Sequence, residues 1–244
     1  MKITALLFLL ALCGVSFAAS GNMIQIKSGA EQIDAYYSKP AGKGPFPALV
    51  VIHEWWGLND QIKGVADRFA GQGYAALAVD LYRGKVATKS DEAHQYMAGL
   101  PEDRAVADLK AAFDYLQQQE EIKKNAIGSI GFCMGGGYSL QLALNEPRLA
   151  ACVMFYGRPV TDVEQLKKLT APILGVFGAE DKGIPPEAVH QFEAALKTAG
   201  KPIETHIYPG AGHGFFNETG AGYNADASKD AWAKTLAFLS QHLK

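Results

Sequence analysis

The sequence predicts an α/β fold: a mostly parallel central sheet with helices on both faces, in a single domain. Three observations carry this. Continuous apolar runs such as 47–53 (PALVVIH) read as strands buried on both faces. These runs alternate along the chain with stretches of helical period. The 244 residues are enough for one sizeable core, and no linker, internal repeat or low-complexity segment divides them.

Residues 24–27 and 32–38 predict a short opening hairpin, and 47–53 the first doubly buried strand. Residues 61–72 have helical spacing and stop at Gly73, a helix-ending residue. Residues 74–81 form the next apolar run. A helix over 101–118 opens with Pro101 and places Val106, Leu109, Phe113 and Leu116 on one side. Strand 126–132 leads through a glycine turn into another helix. Strands follow at 150–156, 172–177 and 203–208, with a helix at 186–199 ending at Gly200 and a last helix at 225–243.

Residues 1–19 stand apart from this pattern. Lys2 gives a positive start, 3–12 are apolar, and 16–20 (SFAAS) supply small residues for cleavage. That is the pattern of a secretory signal peptide, so the domain is 20–244 and the expected destination is the periplasm or the exterior. The apolar run falls short of the roughly 20 residues a bilayer-spanning helix needs, so no membrane association is expected once it is removed. Removal leaves Cys133 and Cys152, which an oxidising compartment would allow to pair, although Cys152 sits inside an apolar run and reads as a core residue.

A net charge of -2 and no basic block make nucleic acid a poor partner. No CxxC pair and no HExxH stretch appears, so no metal and no organic cofactor is expected. The expected partner is a small molecule, and a monomer is the default.

In a sheet of this kind chemistry gathers at the carboxyl ends of the strands. The residues there include Glu54-Trp55-Trp56-Gly57, Tyr82-Arg83-Gly84-Lys85, Cys133-Met134-Gly135, Gly178-Ala179-Glu180-Asp181 and Gly210-Ala211-Gly212-His213. Cysteine, acid and histidine thus fall on separate loops, in the chain order of α/β-hydrolases. Gly131-Phe132-Cys133-Met134-Gly135 is G-x-C-x-G, the spacing of a strand-to-helix nucleophile turn in which serine is usual. Such a turn lifts the sulfur clear of the sheet and sets the Met134 N–H at a helix N-terminus, where it meets a developing oxyanion. The same helix end favours thiolate. His213 would be the general base and Asp181 its orienting acid, with Glu180 as the alternative acid. Glu54, directly after an apolar strand and before two tryptophans, is expected in a poorly solvated place with its pKa pushed up.

The chain resembles the dienelactone hydrolase family of the α/β-hydrolase fold. The resemblance runs from about Ile24 to Leu243 and is carried by HEWWGLN at 53–59, DLY at 80–82, GFCMGG at 131–136, GAED at 178–181 and GAGHGF at 210–215. It implies a triad of Cys133, His213 and Asp181. It implies that Glu54 contacts the resting thiol and takes its proton when substrate binds, and that the Trp55 N–H is a second oxyanion donor beside Met134. It also implies a substrate carboxylate held by two arginines. Here Arg83 follows Tyr82 one position earlier than the family pattern, with Lys85 as a rival, and Asn217 stands where the second arginine would be. Tyr82, Tyr138, Phe155, Phe215 and Phe216 are candidate apolar walls or core. The expected activity is hydrolysis of lactones or activated carboxylic esters through a thioester, since a thiolate suits a good leaving group and suits an amide poorly. A thioesterase or acyl transferase with the same triad, or a ligand-binding protein that keeps the fold without turnover, are the alternatives.

Overall fold

The computed structural model describes residues 20–244; the signal-peptide reading over 1–19 lies outside the described residues. One eight-stranded sheet runs through the molecule in the order β1-β2-β4-β3-β5-β6-β7-β8. Its strands are β1 (Asn22–Ser28), β2 (Glu31–Ser38), β3 (Phe46–Ile52), β4 (Ala75–Val79), β5 (Ile122–Phe132), β6 (Ala151–Phe155), β7 (Ile173–Gly178) and β8 (Ile203–Tyr208). β1 pairs antiparallel with β2 and β2 with β4, and every later neighbour pair is parallel.

The helices are α1 (Asp60–Gly71), α2 (Ser90–Ala98), α3 (Glu102–Gln118), α4 (Met134–Asn145), α5 (Val163–Leu166), α6 (Pro186–Thr198) and α7 (Ala225–Leu243). The period-two geometry of β3 explains its unbroken apolar run. Ala48, Val50 and Ile52 face one core, shared with Leu109, Phe113 and Leu116 of α3, Leu140 of α4 and Phe192 of α6. Leu49 and Val51 face the other, shared with Val65 and Phe69 of α1 and Phe238 and Leu239 of α7. A strand covered on both sides has no polar face to offer, so alternation disappears from its sequence.

Two short helices are absent from the sequence reading. α2 buries only Ala93 and α5 is a single turn, so neither has an apolar stripe to announce it. β5 starts at Ile122, four residues before its apolar part at Ala126, because Lys123–Asn125 lie at the sheet's rim. Asn59 caps α1 by accepting from the Ile62 N–H at 3.1 Å, a contact worth about 1 kcal/mol, so the last residue of the HEWWGLN stretch anchors the helix that follows it.

Candidate active site

The glycine frame around Cys133 is steric. Cys133 has φ 54° and ψ -117°, a strained backbone between β5 and α4. A Cβ at Gly131 would overlap the Gly135 carbonyl, and one at Gly135 would overlap the Ile52 and His53 carbonyls at the end of β3. The turn therefore fits only if both positions lack a side chain. Its result is a half-buried sulfur at the positive end of α4.

The Cys133 Sγ lies 3.0 Å from His213 Nε2, and His213 Nδ1 lies 2.7 Å from Asp181 Oδ2. Asp181 Oδ1 accepts from the Gly183 and Ile184 N–H groups at 2.8 and 3.0 Å, which leaves Oδ2 aimed at the ring. Burial alone would raise the Asp181 carboxyl, but the His213 ring and these N–H groups outweigh it and hold it below the usual range. Burial alone would lower the His213 imidazole, but its hydrogen bonds to Asp181 and Cys133, and their charges, push it up to about 10. The geometry is a row of sulfur, imidazole and buried acid. Glu180, the alternative acid, makes no such contact; its N–H donates to the Ala211 carbonyl at 2.9 Å.

Glu54 lies on the other side of the same cavity, 5 % exposed. Burial pushes its carboxyl up, opposed in part by the hydrogen bonds it accepts. These come from Asn217 Nδ2 at 2.7 Å and the Tyr156 hydroxyl at 3.2 Å. The sulfur's hydrogen-bond partner here is His213, not the Glu54 that the resemblance implied. Tyr156 has φ 37°, is fully buried, and sets its ring edge against His213 at 5.1 Å. The sequence places Tyr156 among the residues at the carboxyl ends of the strands without assigning it a role.

The substrate-side expectations change most. Asn217 does not face outward as half of a carboxylate clamp. Its amide holds Glu54, and its Oδ1 accepts from the Thr219 N–H and hydroxyl at 3.0 and 2.7 Å, which builds the next turn. Arg83 is tied to the buried Asp108 at 2.7 Å and to Glu31 at 3.0 Å, so its charge is already matched. Lys85 stands over the Tyr96 ring at 5.4 Å, in a cavity with Tyr82, Arg83, Gln95 and Arg104 that does not include Cys133. Phe215 is fully buried among Phe155, Tyr156 and Tyr208 and lines no part of the cysteine cavity. Gly214, at φ 74°, turns the chain so that the ring after His213 enters the core. Tyr82 is 5 % exposed, and its hydroxyl meets Met134 Sδ at 3.2 Å, beside the nucleophile turn.

The cysteine cavity is about 190 Å³ and is lined by Glu54, Trp55, Trp56, Cys133, His213, Asn217 and the small residues Gly220, Ala221 and Gly222. No lysine or arginine lines it. A larger cavity of about 360 Å³, bounded by Arg68, Phe216, Tyr223 and Trp232, includes neither Cys133 nor His213, so size does not mark the row of cysteine, histidine and acid. Asp80, the acid of the DLY stretch, is a turn builder: its Oδ1 accepts from the Tyr82 N–H at 2.8 Å and its Oδ2 from the Gly84 N–H.

The chain is similar to several known proteins. Residues 33–243 match the profile of the dienelactone hydrolase family. A protein of Saccharolobus solfataricus, provisionally named a carboxymethylenebutenolidase, is 34% identical over 87% of this chain and 95% of its own. A Bradyrhizobium protein provisionally named 2-oxo-3-(5-oxofuran-2-ylidene)propanoate lactonase is 31% identical over 90% of this chain and 94% of its own. Among solved structures, a provisionally assigned dienelactone hydrolase of Klebsiella pneumoniae superposes with a TM-score of 0.86 at 29% identity, covering 92% of this chain and 100% of that one.

Proposed function

This chain belongs to the dienelactone hydrolase family and is a carboxylic ester hydrolase, and from that we propose that it works through a cysteine nucleophile and a thioester acyl-enzyme. The observation that carries the reading is the row Cys133 Sγ, His213, Asp181, with links of 3.0 and 2.7 Å, on a backbone turn that glycine alone permits at its flanks.

In the proposed cycle the Cys133 thiolate adds to the ester carbonyl carbon and the C=O electron pair moves to oxygen. That oxyanion is held by the Met134 and Trp55 N–H groups, neither of which donates to a backbone acceptor among the described residues. The oxyanion collapses, the C–O bond breaks, and the leaving oxygen takes the proton from His213 Nε2. A water then gives its proton to His213 and its oxygen to the thioester, and the carboxylic acid departs as the thiolate re-forms. Asp181 keeps the ring's Nδ1 proton in place throughout. Glu54, whose protonated form burial favours, is the second proton site beside the thiol.

The substrate we favour is an uncharged lactone or activated ester. A cavity with no lysine or arginine, bordered by the Glu54 carboxyl group and two indoles, offers a substrate carboxylate no partner beyond the His213 ring that the cycle itself uses. The test is kcat/KM on dienelactone and on a neutral activated aryl ester, with Cys133→Ala as control. Turnover of the neutral ester that disappears in Cys133→Ala, with dienelactone the poorer substrate, is the expected result. Turnover that survives Cys133→Ala overturns the mechanism, and a preference for dienelactone overturns the substrate. Export is proposed as well, from Lys2, the apolar stretch 3–12 and the small residues at 16–20; recovery of the full-length, uncleaved chain from the cytoplasm would refute it.

A further inference from the structure

Directly before Glu54, at the end of β3, sits a histidine that the cycle above does not use. His53 is fully buried. Its Nε2 accepts from the Leu81 N–H at 3.3 Å, at the end of the neighbouring strand β4. An acceptor nitrogen carries no proton in the neutral ring, so the proton sits on Nδ1. Nδ1 lies 2.5 Å from the Glu54 carbonyl oxygen and donates to it. Burial lowers the imidazole's proton affinity, which keeps the ring neutral and this tautomer the occupied one. The face of the ring is closed by Tyr82, with ring centres 4.9 Å apart.

The Glu54 carbonyl belongs to the same peptide unit as the Trp55 N–H. That peptide is trans, so the two groups point in opposite directions across a rigid plane. Whatever fixes the carbonyl fixes the N–H. One other donor reaches this carbonyl, the Gly57 N–H at 3.2 Å. We propose that His53 is a positioning residue for oxyanion stabilisation: its imidazole clamps the Glu54 carbonyl to the end of β4 and thereby aims the Trp55 N–H at the carbonyl oxygen of the substrate. A plane that turned by tens of degrees would leave the thiolate in place and remove one of its two oxyanion donors. The inference rests on the nucleophile reading, in which Trp55 is such a donor.

Asparagine and glutamine separate the two ring nitrogens. The side-chain amide of asparagine reaches the position of Nδ1, and that of glutamine the position of Nε2. His53→Asn keeps the hydrogen bond to the Glu54 carbonyl, and His53→Gln keeps only the Leu81 end. Each full-length variant is assayed for turnover of p-nitrophenyl acetate and for the rate at which iodoacetamide alkylates Cys133, a displacement that forms no oxyanion. The expected result is that His53→Gln loses roughly 10²-fold in kcat, the scale of one oxyanion donor, with KM within about threefold. His53→Asn recovers most of that loss, and alkylation stays within about twofold of the parent in both. Equal losses in the two variants, no loss in either, or alkylation that falls in step with turnover would overturn the proposal. Failure of both variants to fold, read by circular dichroism, assigns His53 to the core alone and overturns it too. Cys133→Ala run alongside reports on the nucleophile: if it still turns over the ester, the nucleophile reading has failed, whatever the His53 pair does.

Discussion

Two buried carboxylates flank Cys133, and their surroundings push them in opposite directions. Asp181 is held by two backbone N–H groups and a histidine that can carry charge, and it stays ionised more readily than a free aspartate. Glu54 is held by a phenol and an amide, neither able to become a cation, and burial favours its protonated form. Both are nearly inaccessible, at 2 % and 5 % exposed, and burial raises each carboxyl. At Asp181 a potential cation and fixed N–H dipoles outweigh that burial, and at Glu54, the more deeply desolvated of the two, two neutral side-chain donors do not. The cysteine thus stands between a fixed anion on one side and a proton reservoir on the other.

Removing the centre of the comparison has the largest effect. Cys133→Ala should lower kcat/KM by something on the order of 10⁶-fold. Asp181→Asn should come next, at roughly 10⁴-fold, because the His213 ring loses the acceptor that selects its tautomer. It should also flatten the dependence of stability on pH. The folded His213 value of about 10 lies above an unfolded value of about 6.5, so its contribution is fully present below about pH 6.5 and is lost as pH rises through about 10. Denaturant titrations at acidic, neutral and alkaline pH should show the parent weakening at the alkaline end and Asp181→Asn changing little. A parallel fall in the two proteins would break the assignment.

Glu54→Gln should act with opposite signs on activity and stability. Activity should drop roughly 10²-fold with the loss of a proton site. Stability should rise at neutral pH. The folded Glu54 value is raised above an unfolded value of about 4.3, so the native state carries a penalty that grows as pH climbs past that point, and glutamine abolishes it. Each kcal/mol regained reads as about 2–4 °C in Tm for a chain of this size. An unchanged or lower Tm at pH 7 would mean that the folded Glu54 carboxyl is not raised above its unfolded value. Tyr156→Phe removes one of two donors to Glu54 and should cost only about 3–10-fold in kcat/KM, the scale of a single hydrogen bond. A loss as large as that of Glu54→Gln would mean that Tyr156 touches the reacting atoms itself.

Cys133, His213 and Asp181 were legible in the sequence because each falls in a loop at the carboxyl end of a strand, and glycines frame the turn at Cys133. The raised Glu54 was legible for the same reason. Its holders were not. Tyr156 and Asn217 lie 102 and 163 residues away, and nothing local in either residue distinguishes a hydrogen bond to Glu54 from core packing or a substrate contact. Arg83 misled because its partner Asp108 sits on α3 and is invisible to any reading of the loop alone. The sequence leaves Phe215 between cavity wall and core because an aromatic beside a loop histidine has the same local pattern in either place. α2 was missed because a helix with one buried residue leaves almost no periodic signal.

The contact between Gly135 and the Ile52 and His53 carbonyls has a consequence for how this site tolerates change. Cys133 leaves the end of β5 and Trp55 follows the end of β3, and these strands are direct hydrogen-bonded neighbours, Ile52 opposite Gly131. Their separation is the lattice spacing of the sheet, about 4.8 Å, and owes nothing to any loop. The cavity walls beyond Asn217, at 218–222, can therefore change in length or sequence without altering the spacing between the ends of these two strands. The molecule carries its own gauge block, machined into the backbone, and substrate range is free to drift around it.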